Sequence, residues 1–181
     1  MYLDQTPLWT NDSIELFVLQ AKHVSPSYVS WLNNPAVNCY LESRFSIHTE
    51  DSTKTFVQKC LVDPMTLFLG IRYLDHQQNF IHVGNIKITV SKPHELGEVG
   101  ILIGETDFWG KGIASKAISM LIEIAKNELG LRKLTAGCYA SNLSSQKAFL
   151  KTGFHVECQR KDHFLLNKKP ESLILMACFL Y

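Results

Sequence analysis

Alternating apolar and polar residues predict a series of short strands along the chain. Strict alternation is the period of a half-buried strand, whose neighbouring side chains point to opposite faces. In residues 80–90 it places one set of side chains on a common face, namely Phe80, His82, Gly84, Ile86, Ile88 and Val90. The pattern predicts strands at residues 13–20, 66–73, 80–90, 98–103, 134–139, 154–160 and 173–181.

Apolar residues spaced three and four apart predict the helices, because this spacing lines one helical face. The longest such face lies in residues 113–129 and carries Ala114, Ala117, Ile118, Leu121, Ile122 and Ala125. Gly130 follows, and glycine commonly ends a helix. Further helices are predicted at residues 26–32, from about 49 or 52 to 61, and at 142–152, with a loop or short helix at 36–45.

The order of these elements indicates a mixed α/β fold around one sheet. The chain has 181 residues, of which 46% are hydrophobic and 19% charged. That length and balance suit one globular domain with a full core. Neither a repeat nor a linker rich in Pro, Gly or Ser interrupts the sequence, so residues 1–181 are predicted to form a single domain.

Charge and hydropathy exclude several classes of partner. Lys and Arg number 18 and Asp and Glu 17, a net charge of +1, whereas proteins that bind nucleic acid usually carry a basic surplus. No segment approaches the ~20 apolar residues of a membrane span, and residues 1–11 lack a signal pattern. We therefore expect a cytoplasmic protein with neither nucleic acid nor membrane as its main partner.

The seven histidines do not adopt the spacing of a metal site, which usually pairs ligands on a helix or in short repeats. No metal is therefore predicted. The sequence does not reveal the oligomeric state and leaves a homodimer open.

Two glycines, Gly110 and Gly112, flank Lys111 where the helix 113–129 begins. The first N–H groups of a helix lack intrahelical partners and lie at its positive end, so they favour a phosphate. By itself, a Gly-x-Gly turn is weak evidence for a phosphate site, since most such turns are plain tight turns. The segment matches neither a Walker A loop nor the dinucleotide fingerprint, which needs a third glycine.

A second segment follows about thirty residues later, at 140–154, reading Ala-Ser-Asn-Leu-Ser-Ser-Gln-Lys-Ala-Phe-Leu-Lys-Thr-Gly-Phe. It resembles the Asn-x-x-Ser, helix and Gly-Phe series of the GCN5-related N-acetyltransferase (GNAT) superfamily. Residues 107–114, Asp-Phe-Trp-Gly-Lys-Gly-Ile-Ala, resemble the pyrophosphate loop of that superfamily. Residues 28–37, Tyr-Val-Ser-Trp-Leu-Asn-Asn-Pro-Ala-Val, resemble its branch of ribosomal-protein alanine and amino-sugar acetyltransferases. The resemblance extends from about Leu16 to Tyr181.

This resemblance implies a mostly antiparallel sheet flanked by about four helices and splayed between the fourth and fifth strands, residues 98–103 and 134–139. Acetyl-CoA, the implied acetyl donor, would lie in that split, and the backbone N–H near Leu102 would stabilise the oxyanion. The implied cofactor-binding residues are Ile101, Leu102, Ile103, Trp109, Gly110, Lys111, Gly112, Ile113, Ala114, Ser115, Asn142 and Ser145. Asn142 is also a suitable N-cap for the helix behind it, and the two roles are compatible.

Two positions depart from the superfamily pattern. Its loop usually opens with Gln or Arg, whereas this chain has Trp109; the related branch often has an aromatic residue there, so the backbone cradle is expected to survive. Many members carry a tyrosine on the helix after the asparagine, where it protonates the leaving thiolate. That position is Phe149 here, so the usual general acid is missing.

Direct attack by an amine requires a base, because the attacking nitrogen must lose a proton. Glu98 is the first candidate and His82 the second, with a solvated carboxylate and a buried structural histidine as the respective alternatives. Tyr139, Cys138 and Ser145 are candidates to protonate the thiolate, and solvent is a further one. Glu98, Tyr139 and Ser145 are the predicted catalytic residues.

Residues around the loop 36–45 are expected to bind the acceptor, with His82 beside them. Arg44 could bind a phosphate bidentately, which would suit a nucleotide-linked amino sugar. Glu42 could instead attract a cationic amine, and a structural salt bridge between Glu42 and Arg44 is the alternative. Tyr40 completes this set of predicted substrate-binding residues.

The sequence thus predicts an acetyl-CoA-dependent N-acetyltransferase acting on a primary amine. A small molecule or nucleotide-linked amino sugar is favoured slightly over a protein N-terminus. A non-catalytic acyl-CoA-binding module is the rival from another class, and Phe149 is the residue that supports it. A general phosphate-binding protein without thioester chemistry is the third alternative.

Overall fold

The computed structural model describes residues 9–11 and 13–181, so most of the segment 1–11, which lacked a signal pattern, lies outside the described residues. Within them, eight strands form one sheet in the order β1-β2-β3-β4-β5-β6-β8-β7. The strands are β1 (Trp9–Thr10), β2 (Ile14–Val18), β3 (Thr66–Leu74), β4 (Phe80–Ser91), β5 (Leu96–Ile103), β6 (Lys133–Tyr139), β7 (His155–Leu166) and β8 (Lys169–Phe179).

Helices cover both faces of this sheet. They are α1 (Pro26–Asn33), α2 (Pro35–Asn38), α3 (Glu50–Val62), α4 (Ile113–Asn127) and α5 (Leu143–Leu150). One buried cluster joins α4 and α5 to the sheet, and Leu121, Ile86 and Leu69 lie in it fully buried. A second cluster joins α1, α2 and α3 to the other face through Trp31 and Val57. None of the helices in the described part of the chain is long and apolar enough to cross a membrane.

The sheet opens between β5 and β6, which are its only adjacent parallel strands among the described residues. The two strands pair from Leu96 with Lys133 to Glu98 with Thr135. Beyond that point each strand continues without the other, to Ile103 and to Tyr139. The predicted split between residues 98–103 and 134–139 is confirmed, as is the mixed α/β fold; β1 is an additional short strand.

One predicted strand face was wrong, because a β-bulge interrupts β4. Ile71 pairs with Gly84 and Arg72 with His82, which leaves Val83 without a partner in the ladder. A bulge reverses the alternation of side chains. His82 therefore packs against Trp31 on the α1 face, whereas Ile86 lies in the α4 cluster.

Other boundaries differ by a few residues from those predicted. The predicted loop or short helix at 36–45 consists of α2 and a short 3-10 helix, Glu42–Phe45. The turn between β4 and β5 is shorter than predicted, because β4 extends to Ser91 and β5 begins at Leu96.

The edge strand β7 is irregular and polar. Its pairing with β8 shifts between Val156 and Cys158 and again between Arg160 and Phe164. Asp162, within the second irregularity, has a left-handed backbone with φ of 50°. Nearly all residues of β7 are exposed.

Candidate active site

The split between β5 and β6 forms a cleft of about 560 Å³, within the usual range for small-molecule sites. Its walls come from the two strands, from the beginnings of α4 and α5, and from α2 with the residues after it. Eleven of the twelve predicted cofactor-binding residues line it, namely Ile101, Leu102, Ile103, Trp109, Gly110, Gly112, Ile113, Ala114, Ser115, Asn142 and Ser145.

The N-terminus of α4 is the clearest feature of the cleft. Its N-cap, Gly112, has φ of 76° and provides no side-chain cap, and Gly110 has φ of 75°. Glycine is the residue that adopts this left-handed region without steric cost. A β-carbon at either position would meet nothing within 4 Å. The first N–H groups of α4 therefore face open space that an anion can enter.

Trp109 closes the turn between β5 and α4. Its Nε1 donates to the backbone oxygen of Ile103 over 2.9 Å, which ties the turn to the end of β5. Lys111, the twelfth predicted residue, does not line the cleft, and its Nζ lies 4.5 Å from the centre of the Phe108 ring.

Asn142 is the N-cap of α5, as the alternative interpretation expected. Its Oδ1 accepts a hydrogen bond from the backbone N–H of Ser145 over 3.2 Å. The Gln146 side chain donates to the backbone oxygen of Ala140 over 2.8 Å, which fixes the passage from β6 into α5. A role for Asn142 and Ser145 toward a ligand stays a prediction.

Phe149 lies in the cleft wall and is only 2% exposed. Its ring packs edge-on against Phe154, with ring centres 4.9 Å apart. Packing of this kind explains an apolar residue at this position. Because Phe149 has no hydroxyl, it cannot serve as the general acid that the superfamily usually has at this position.

Tyr139, a predicted catalytic residue, is 3% exposed and does not line the cleft. Its hydroxyl donates to the Glu42 carboxylate and accepts from Arg44 Nη2 over 2.8 Å. Burial and the bond to Glu42 raise the pKa of the Tyr139 phenol, while Arg44 opposes them. Its ring stacks on Phe164 at 4.4 Å, so Tyr139 joins the 3-10 helix to the β7–β8 hairpin.

Arg44 is held within the protein. Its guanidinium donates to the backbone oxygens of Leu41 over 2.8 Å and of Leu165 over 3.3 Å, besides Tyr139. Its side chain is 13% exposed, against 63% for that of Glu42, whose carboxylate lies 3.5 Å away. The predicted structural salt bridge is thus present, and most donors of Arg44 are already engaged.

His82, a predicted acceptor-binding residue, lies outside the cleft wall, among the rings of Phe17, Tyr28 and Trp31. Its Nε2 is 3.0 Å from the oxygen of Gly84 and 2.9 Å from Oδ1 of Asn85. Burial lowers the pKa of the imidazole, so the ring is neutral near pH 7. His82 thus lies in the environment of a buried structural histidine, which was the alternative to its predicted role as a base.

Glu98, the predicted base, lies where the cleft begins. It is the last residue of β5 that pairs with β6, opposite Thr135. It is exposed and does not line the cleft wall. Its role as a base stays a prediction.

The structure adds residues that sequence reasoning missed. Gly100 and Gly137, on opposite strands, line the cleft, and a β-carbon at Gly100 would meet nothing within 4 Å. Lys147 and Lys151 bring positive charge to the wall from α5. A glycine in the middle of each diverging strand was the available signal, since glycine often marks a close approach of a ligand to the backbone. Among residues 9–11 and 13–181 no His, Cys, Asp and Glu form a cluster that could hold a metal.

Short segments of curated proteins match this chain. A 48-residue stretch is 40% identical to the Bacillus subtilis protein named probable N-acetyltransferase YjcK, covering 26% of each chain. A 57-residue stretch, 32% of this chain, is 40% identical to the uncharacterized protein MJ1062 of Methanocaldococcus jannaschii. The matches span 26% and 12% of the lengths of these two relatives.

Two solved structures share the whole fold. Spermidine N-acetyltransferase from Vibrio cholerae, solved with CoA and spermine, superposes with a TM-score of 0.81 at 19% identity, over 94% of this chain and 97% of the other. RimL, a ribosomal L7/L12 alpha-N-protein acetyltransferase solved with CoA, gives a TM-score of 0.82 at 18% identity, over 94% and 96%. The family model described as acetyltransferase (GNAT) domain matches residues 15–155. The chain therefore belongs to the GNAT acetyltransferase family, as the sequence predicted.

Proposed function

We propose that this protein is an N-acetyltransferase that moves the acetyl group of acetyl-CoA to a primary amine. The observation that carries the proposal is the split between β5 and β6, which ends at the uncapped N-terminus of α4. Acetyl-CoA suits this cleft, because it is a long molecule whose pyrophosphate is anionic. It also carries the acetyl group as an activated thioester.

Each part of the cleft has a task in this proposal. The backbone N–H groups from Gly110 to Ser115 hold the pyrophosphate, because the positive end of a helix stabilises negative charge. Lys147 and Lys151 add positive charge from α5. The pantetheine arm follows the backbone of β5, opposite Gly137, and Asn142 binds it while it caps α5.

The acceptor is proposed to be a cationic small-molecule amine. The Glu42 side chain is 63% exposed and lies beside the cleft rim formed by Tyr40 and Leu41. Arg44 and Tyr139 engage its Oε1, so its other carboxylate oxygen is proposed to attract the positive charge. The argument for a nucleotide-linked amino sugar relied on Arg44, whose guanidinium is engaged by Leu41, Leu165 and Tyr139. A protein N-terminus stays the alternative acceptor, since the fold neighbours include enzymes of both kinds.

The amine has to reach the thioester as a neutral nucleophile. Glu98 is proposed as the base through a water relay, because its backbone lies at the narrow end of the split. Replacing Glu98 with Gln should lower turnover and remove the acidic limb of the pH–rate profile. An unaltered profile would exclude Glu98 and favour solvent.

The function is tested by offering acetyl-CoA with three panels of acceptors: polyamines, nucleotide-linked amino sugars and short peptides with free N-termini. CoA release and acetylated product are measured together. We expect turnover on the polyamine panel. Tight binding of acetyl-CoA without turnover on any amine would favour the non-catalytic module, and equal affinity for ATP and acetyl-CoA would favour a general phosphate-binding protein.

The role of Glu42 has its own test. Replacing Glu42 with Gln should raise KM for a polyamine up to roughly fivefold, because an exposed ion pair contributes up to about 1 kcal/mol. KM for acetyl-CoA should not change. Replacing Glu123 with Gln, on the exposed side of α4, is the matched control. An unchanged KM for the polyamine would remove Glu42 from the acceptor site.

A further inference from the structure

We infer that Tyr40 supplies the proton that the departing CoA thiolate takes up, in place of the tyrosine that Phe149 replaces. This inference rests on the proposed function. Tyr40 lies between α2 and the 3-10 helix and lines the same cleft as Asn142, Ser145 and Phe149. It therefore adds a phenol to the wall of this cleft.

The Tyr40 hydroxyl is directed at the junction between β6 and α5. It donates to the backbone oxygen of Ser141 over 3.3 Å, and Ser141 immediately precedes the cap residue Asn142. The usual length of an O–H···O bond is about 2.7–2.8 Å, so this bond is a weak one. A thiolate nearby would be a stronger acceptor for the same proton.

The other candidates fit less well. The Tyr139 hydroxyl is bonded to Glu42 and Arg44 behind the cleft wall. Cys138 also lines the cleft, but burial raises the pKa of its thiol to about 11, which makes it a weaker acid than an ordinary phenol. An aliphatic hydroxyl such as that of Ser145 is a far weaker acid than a phenol, whose pKa of about 10 lies close to the thiol value of about 8.5.

Tyr139 holds Tyr40 in position through two contacts. The Tyr40 ring lies 5.7 Å from the ring of Tyr139, and Tyr139 is bonded to Glu42, two residues beyond Tyr40. The segment that carries Tyr40 is thereby fastened to β6 at its end. A general acid held in this way needs little reorganisation to act.

The proton balance of the step is simple. The amine nitrogen forms a bond to the acetyl carbon, the carbon–sulfur bond breaks, and its electron pair stays on sulfur. The sulfur takes the proton of the Tyr40 hydroxyl. The resulting phenolate is reprotonated by solvent, which carries the proton that the amine released.

Replacing Tyr40 with Phe tests the inference, because it removes the hydroxyl and keeps the ring. With the polyamine of highest turnover, kcat should fall by roughly a hundredfold or more, while KM for acetyl-CoA should change less than about threefold. A second measurement needs no acceptor: the thiol of bound CoA is titrated by its thiolate absorbance, with desulfo-CoA as the reference. Because a hydrogen bond to the thiolate favours the charged form, the thiol pKa should rise in the variant.

A rescue separates catalysis from packing. In the Tyr40→Phe background, Phe149→Tyr returns a phenol to the superfamily's usual position and should recover part of kcat and of the lowered thiol pKa. Tyr181→Phe, at the exposed C-terminal residue, is the control and should change neither quantity.

An unchanged kcat and thiol pKa in Tyr40→Phe would overturn the inference, and the same shifts in Tyr139→Phe alone would reassign the role to Tyr139. Wild-type protein that acetylates no amine would defeat the proposed function instead, while the titration would still decide whether Tyr40 bonds the thiol.

Discussion

The indole nitrogen of Trp109 donates to the backbone oxygen of Ile103, so the turn before α4 is fastened to the last residue of β5. The superfamily usually has a long polar side chain at this position. In this protein the side chain stabilises the loop, and the proposed function assigns the binding of phosphate to the backbone N–H groups behind Gly110.

Replacing Trp109 with Phe should weaken CoA binding by roughly three- to tenfold, since it removes one hydrogen bond worth about 0.5–1.5 kcal/mol and loosens the loop. Isothermal titration calorimetry with CoA measures the change. Trp9→Phe is a matched control, because the Trp9 indole bonds to Glu128 over 2.6 Å, away from the cleft. Unchanged affinity in Trp109→Phe would mean that the loop holds its shape without this bond.

Gly100→Val should reduce CoA affinity at least tenfold and leave the thermal midpoint nearly unchanged. Its side chain would enter the cleft, where a β-carbon meets nothing within 4 Å, and β-branched residues suit a strand. Gly112→Val should reduce affinity as well but also lower stability by about 1–2 kcal/mol, because its φ of 76° is unfavourable for other residues. Full CoA affinity in both variants would show that the donor lies elsewhere.

Arg44→Met should lower the free energy of unfolding by about 2–3 kcal/mol, because the hydrogen bonds that the charged guanidinium donates to Leu41 and Tyr139 are lost. For a chain of this size that corresponds to a melting temperature lower by roughly 4–12 °C. Arg160→Met, on the exposed edge strand, should change the free energy by less than about 0.5 kcal/mol. Equal melting temperatures for the two variants would contradict the structural role given to Arg44.

Stability should decrease as the pH falls from about 6.5 to about 4, in part because of His23. Burial, followed by the charges of Lys22 and Arg72, lowers the pKa of this imidazole from 6.5 to about 4. The unfolded chain binds the proton more readily than the folded chain does. The stability that neutral His23 contributes is therefore fully present above pH 6.5 and is lost as the pH falls through 4. Protonation would also remove the acceptor for the backbone N–H of Gln20, which bonds to Nδ1 over 3.0 Å.

Denaturant unfolding across this pH range measures the effect. His23→Asn keeps an acceptor at the position of Nδ1 and does not titrate, so its stability should fall less steeply with acid. Some slope should persist, because burial lowers the pKa of His82 as well. Identical slopes in the variant and the original protein would exclude His23 as a source.

The sequence predicted the cofactor side of the cleft because its signals are local. Gly110, Gly112 and Asn142 each occupy the beginning of a helix, and the helices themselves follow from the spacing of apolar residues. The split in the sheet came from the superfamily resemblance, which the family match confirms. Residue roles toward a ligand stay predictions.

The acceptor side was harder to predict because its contacts join residues far apart in sequence. Arg44 bonds to Tyr139 across 95 positions, and no local pattern indicates that its guanidinium is thereby engaged. His82 was assigned to the wrong strand face because the bulge beside Val83 cannot be distinguished from regular alternation in residues 80–90. In both cases tertiary pairing decided what the side chain contacts.

The irregular edge strand β7 affects how this protein behaves at high concentration. A long straight strand with free N–H and C=O groups is a template for other chains, and natural proteins protect such edges with bulges and charged residues. Here Asp162 turns the backbone away from the ladder, and Arg160 and Lys161 lie beside it. Fibre-like stacking through this border is therefore disfavoured.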